Sequence, residues 1–157
     1  MSKRLWKRLK RVFSTSFPFV ISLSCANNIP FLEERILKRP VGISITANQG
    51  LTFTLRYYVQ NQEPTFDGYD LFIKREPIGD GEVFGALGPA NLYGNLPTFL
   101  HGPEEFDPNR PIERLISTID GARLFEAGVR YYFRICAHSR RGFRSDPSEE
   151  VSSIALP

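Results

Sequence analysis

Phe125-Glu-Ala-Gly-Val-Arg-Tyr131-Tyr-Phe-Arg-Ile-Cys-Ala137 is the stretch on which the fold turns. Tyr131, Phe133, Ile135 and Ala137 alternate with Tyr132, Arg134 and Cys136. A period of two puts the first set on one face of a strand and the second on the other. Downstream, residues 138–144 form a glycine-containing turn, and residues 148–156 close the chain with Val151 alternating into Ser153. Upstream, Leu51, Phe53, Leu55 and Tyr57 alternate with Thr52, Thr54 and Arg56, which predicts a strand over 51–59. A short strand over 43–47 precedes it across the turn Asn48-Gln-Gly50. Turn residues fill 61–67, a further strand covers 68–75, and another covers 112–119, closed by Asp120-Gly121. Six or seven short strands with no helix among them predict an all-β sandwich.

Residues 77–111 break the pattern. They hold six glycines and six prolines of the chain's 24, so no long regular element runs through them. Phe84, Leu87, Leu92, Tyr93, Leu96, Phe99, Leu100 and Phe106 are interspersed, which is too apolar for a solvated linker. The expectation is an ordered excursion packed on the domain edge and containing one short strand.

Charge is unevenly placed. Lys3, Arg4, Lys7, Arg8, Lys10 and Arg11 supply six of the 20 cations, and no acid occurs among the first 24 residues. Without that segment 14 cations face 17 acids, so the basic pI of about 9.0 belongs to the N-terminus. The folded part therefore gives no reason to expect a nucleic-acid partner.

A basic stretch, thirteen mostly apolar residues (12–24) and then Cys25 among small polar residues follow the order of an export signal. Thirteen helical residues reach about 20 Å, short of the roughly 30 Å hydrocarbon layer. Ser22-Leu-Ser-Cys25 resembles a lipobox, the motif at which bacterial lipoprotein precursors are acylated on cysteine and cut before it. Leu23 stands two residues before the cysteine, where the usual pattern has leucine three before. The resemblance implies a signal peptide over 1–24, a lipid on Cys25 and a tether over 25–39. It also implies a protein held at the cell envelope, in the outer membrane or at the surface, with the membrane as a partner through its lipid. Two alternatives stay open: an ordinary signal peptide with a coincidental cysteine, and a retained interfacial helix using Leu5, Leu9, Val12 and Phe13.

From Phe125 onward the sequence resembles the end of a fibronectin type III domain, an immunoglobulin-like sandwich. Phe125, Tyr131, Phe133, Ile135 and Ala137 match the family's spacing, as do Ser145-Asp-Pro147-Ser148 and Val151 in the last strand. Gly68-Tyr-Asp-Leu71 looks like its third strand. The likeness covers residues 40–157 and implies that Tyr131 is a tyrosine corner, its hydroxyl bonded to upstream backbone. Tyr57 or Tyr58 stands where the family has tryptophan, and the 77–111 excursion is a long Gly/Pro-rich insertion.

Candidate sites are few. Neither His101 nor His138 has metal-ligand company at the usual spacing, and no hydrolase, phosphate-loop or calcium-loop motif occurs. Both are expected as surface or turn residues, with no metal, no cofactor and no catalytic group. Cys136 is expected as a small, partly covered residue on the second sheet face. The cluster Arg140, Arg141, Phe143 and Arg144 lies in the loop before the last strand. Three arginines beside a phenylalanine suit a protein or an anionic ligand through bidentate pairing. Its Arg-Gly-Phe is not Arg-Gly-Asp, so no integrin activity is carried over. The expected function is a binding or adhesion module shown at the envelope. A passive envelope component without a dedicated ligand is the alternative.

Overall fold

The structure, a computed structural model, describes residues 37–81, 93, 94 and 96–157. Cys25, the export signal, residues 25–36 of the tether, and Phe84, Leu87 and Leu92 of the excursion lie outside the described residues. Among those described are seven strands: β1 (Ser44–Asn48), β2 (Thr52–Val59), β3 (Phe66–Lys74), β4 (Phe99–Leu100), β5 (Asp107–Ile116), β6 (Arg130–Ser139) and β7 (Val151–Ile154). They pair antiparallel in two sheets, ordered β1-β2-β5 and β4-β3-β6-β7. The chain is an all-β sandwich. β4 joins the sheet of β3 rather than that of β5, the fibronectin type III-like variant of the immunoglobulin-like arrangement.

Alternation along the strands makes the core. Phe53, Leu55, Tyr57 and Val59 of β2 face Tyr131, Phe133, Ile135 and Ala137 of β6, and all are buried. Phe53 is the centre: Phe125 meets its ring edge-on at 4.7 Å, and Phe133 does so at 5.1 Å. Edge-to-face contacts match the negative ring face to a positive ring edge, adding about 0.5–1.5 kcal/mol each beyond burial. Tyr57 rather than Tyr58 points inward, so it takes the place where the family has tryptophan. The Tyr131 hydroxyl accepts the Glu126 N–H at 3.0 Å, which is the tyrosine corner implied by the resemblance.

Two irregularities depart from the expected strands. β3 begins at Phe66, two residues before the strand expected from Gly68, because a bulge at 66–68 shifts its register against β6. The extra residue lets Phe66 and Tyr69, three apart, both face the core. β5 begins at Asp107, inside the Gly/Pro-rich excursion, and contains Pro108 and Pro111. It is an edge strand, and its pairing with β2 jumps from Val59–Asp107 to Tyr58–Pro111, so Pro108 falls in an irregular stretch outside the regular ladder. The expected short strand of the excursion is β4.

Packing also begins earlier than Pro40. Leu37 is buried in the core, the Lys38 N–H donates to Glu63 Oε1 at 2.8 Å, and Asn61 Nδ2 donates to the Lys38 carbonyl at 3.0 Å. Strand directions place this segment, residues 60–65, residues 101–106 and the turn 140–142 at one end of the sandwich, called here the loop end. The Arg140 N–H donates to the Thr65 carbonyl at 2.9 Å and the His101 N–H to the Asp67 carbonyl at 3.1 Å, stitching these loops together. At the far end the chain leaves beside the β1–β2 turn, where Leu51 N–H donates to the Leu156 carbonyl.

Candidate functional site

The arginine cluster does not converge on one surface. The turn after β6 is closed by Gly142 N–H donating to the Ser139 carbonyl at 2.8 Å and Phe143 N–H to Ser139 Oγ at 2.9 Å. Arg140 and Arg141 are exposed at its tip, and Phe143 is partly exposed. Arg140 pairs with Asp67 at 3.7 Å. Arg144 turns the other way. Its Nε donates to Asp70 Oδ2 at 2.5 Å, and its guanidinium lies 5.4 Å from the Phe72 ring centroid. Asp70 has no exposed surface. Arg144 is thus a counterion for a sealed carboxylate on the outer face of the four-stranded sheet.

That face carries a second cluster. Cys136 packs with Phe72 and Ile78 against Tyr132, and burial pushes its thiol up to about 12. It lies on the second face as expected, but it is fully rather than partly covered. His138 is likewise buried, against the expectation of a surface residue. Register puts it beside Gly68, next to the bulge in β3. Asp80 pairs with Arg134 across this face while its own side chain stays mostly exposed.

His101 departs furthest from its expected turn position. Its ring is sealed between Tyr57 and Tyr69, with centroids 5.8 and 6.0 Å away. Nε2 lies 2.7 Å from the Tyr57 hydroxyl and Nδ1 3.0 Å from Glu105 Oε2. Glu105 sits four residues on. The 3-10 turn Pro103–Glu105 bends its carboxylate back to His101 and to the Gly102 N–H, at 3.2 Å. That spacing was visible in the sequence, but Gly102-Pro103 hid it by forbidding an ordinary helix. Burial lowers the His101 pKa, with Glu105 opposing, while burial raises that of Tyr57 against the nearby Arg114 guanidinium.

Two recesses open at this end and share Glu104 and Glu105. One, of about 270 Å³, is walled by Asp67, Leu100, His101 and Arg140. The other, of about 540 Å³, is lined by Asp107, Arg110 and Glu113 together with apolar Val59, Phe106 and Ile112. Acids outnumber the arginines among the lining residues of both. Among the described residues no three His, Cys, Asp or Glu are placed to hold a metal ion, and no helix is long and apolar enough to cross a membrane.

No protein-family model matches the sequence, and no curated protein matches it significantly. Solved structures of similar shape include the following three. A β-1,2-glucanase from Parabacteroides distasonis aligns over 77% of this chain at 14% identity with a TM-score of 0.45, and the chain spans only 13% of that enzyme. The fibronectin type-III domain of human fibronectin type III domain containing protein 3 aligns over 78% of this chain and 88% of its own, at 17% identity and a TM-score of 0.41. A structure described as a myokine aligns over 76% and 98%, at 12% identity and 0.38. Strand order and the tyrosine corner carry the fold assignment.

Proposed function

We propose that this chain is a lipid-anchored envelope protein that displays its sandwich as a binding module, with the loop end taking a positively charged protein segment. The observation that supports this reading is the pair of joined recesses. Glu104, Glu105, Asp107 and Glu113 outnumber Arg110 beside apolar Val59, Phe106 and Ile112 in the larger recess, and Arg140 of the smaller one already faces Asp67. Carboxylates beside apolar side chains suit a lysine- or arginine-bearing strand or loop, through charge complementarity and apolar burial. Fluorescence anisotropy with Lys-rich and Glu-rich peptides of equal apolar content tests the choice of partner. The Lys-rich peptide is expected to bind at least fivefold tighter at 50 mM salt, with the preference shrinking at 300 mM and in a Glu104→Lys, Glu113→Lys variant. Equal binding of both peptides overturns it.

Anchoring rests on the lipobox-like Ser22-Leu-Ser-Cys25. Two or three acyl chains on Cys25 hold a protein far more firmly than one, since each buried methylene contributes roughly 0.8 kcal/mol. Labelling cells with a radioactive fatty acid is expected to mark the native protein and not Cys25→Ala; equal labelling of the two ends this part of the proposal. A second reading, a passive structural component, is favoured by one observation. The chain enters the sandwich at the loop end and leaves at the far end, as a spacer must.

A further inference from the structure

The bonds around His101 have only one consistent direction. The Glu105 carboxylate can only accept, so the neutral His101 ring carries its proton on Nδ1 and donates it to Glu105. Nε2 is then the unprotonated acceptor, and Tyr57 directs its own proton to it. Tyr57, His101 and Glu105 form a one-way chain from β2 to the half-exposed Glu105. Arg114 of β5 lies nearby, its guanidinium 5.8 Å from the Phe99 ring centroid.

We propose that His101 is an acid-sensitive latch that holds the 101–106 segment closed, and that a proton on Nε2 releases it. Protonation turns Nε2 from acceptor to donor. The Tyr57 hydroxyl then has to accept from His101, and its own proton loses the partner it had in a sealed site. Burial and Arg114 work against the imidazolium, and Glu105 works for it. The other charged or titratable groups facing this site are Tyr69 and Asp67 of β3, Glu104 of the 3-10 turn and Arg140, which pairs with Asp67. Tyr69, pushed up to about 12 by burial, stays neutral throughout. A histidine whose folded pKa lies below its unfolded value contributes stability at neutral pH. That stability is lost as pH falls from about 6.5 through the folded value. Opening the segment moves Glu104 and Glu105 and so reshapes both recesses. The latch is independent of what the recesses bind.

Amide hydrogen exchange on the full-length protein tests it, after correction for the intrinsic pH dependence of exchange. The amides of His101, Glu105 and Phe106 donate to Asp67, Gly102 and Pro103 carbonyls. Their protection is expected to fall at least tenfold between pH 7.5 and 5.0, while the Ile135 amide, bonded to Ser148 Oγ, keeps its protection. His101→Gln is expected to abolish the pH effect. Unchanged protection in the native protein, or the same loss in H101Q, overturns the latch. Imidazole nitrogen NMR of the native protein supplies a check that needs no variant. The Nδ1–H tautomer is expected at pH 7.5, and finding the Nε2–H tautomer refutes the proposal. Glu105→Gln is expected to move the His101 midpoint to lower pH; an unmoved midpoint also counts against it.

Discussion

Arg144→Ala lowers stability at pH 7 by about 3–5 kcal/mol, the range for removing one partner of a buried ion pair. Asp70 has no exposed surface, and its Oδ1 already lacks a hydrogen-bond partner. Without the guanidinium at Oδ2 the carboxylate keeps its desolvation cost and loses its main compensation. Burial holds the Asp70 pKa above its ordinary value even with Arg144 opposing, and the variant raises it further. A raised folded pKa means stability falls as pH rises, so the deficit of R144A is expected to be larger at pH 7 than at pH 4. Urea unfolding at the two pH values measures both effects. Arg140→Ala, whose pair with Asp67 is longer and exposed, is expected to change stability by about 0.5 kcal/mol or less. Replacing Asp70 and Arg144 together by leucine is expected to restore most of the loss, because a buried pair adds little over apolar packing. Equal small effects from R140A and R144A would return Arg144 to the exposed cluster expected from the sequence.

Gly68→Ala is the second large effect, expected at about 3 kcal/mol. Gly68 has φ +150°, a conformation that side chains rarely adopt, and a Cβ there would lie 2.0 Å from the Phe99 carbonyl oxygen. The obstacle is backbone, so no rotamer relieves it. β4 would have to leave β3, and the change would spread, since Phe99 stacks on Tyr57 with centroids 5.5 Å apart and His101 follows two residues later. The urea midpoint is expected to drop, and the Tyr57–His101 bond is expected to loosen, visible as a shift of the imidazole nitrogens. Gly50→Ala is the control. Gly50 also has positive φ (+77°), but nothing lies within 4 Å of its would-be Cβ, so about 1 kcal/mol is expected. If G68A costs no more than G50A, close approach of β4 is not what requires glycine at 68.

Alternation was the legible part of this chain. Phe53 to Val59 and Tyr131 to Ala137 announce their faces because a half-buried strand must repeat every two residues. Tyr131 could be assigned to a corner only through the resemblance of the Phe125–Ala137 spacing to a known family, and the backbone it accepts from proved to be Glu126, just upstream in the same passage. Long-range pairing was not legible. The Phe66–Tyr69 offset depends on a bulge set by β6, and Pro108 and Pro111 read as breakers until β5 is seen to be an edge. The site suffered most. Arg144 looks like its neighbours Arg140 and Arg141, and only Asp70, 74 residues away, distinguishes it. His101 looked like a turn residue because Tyr57, 44 residues earlier, supplies the bond that buries it.

Leu37 is fixed in the core at the loop end, with Lys38 tied to Glu63 and Asn61. On the anchored reading the recesses lie at the end of the sandwich that the tether joins, and residue 157 lies at the opposite end. At most about 3.6 Å per residue separates Cys25 from Leu37, so Leu37 stands no more than about 45 Å from the lipid-bearing residue. A partner at the recesses would then be met within that reach of the bilayer, whichever way the sandwich turns on its tether.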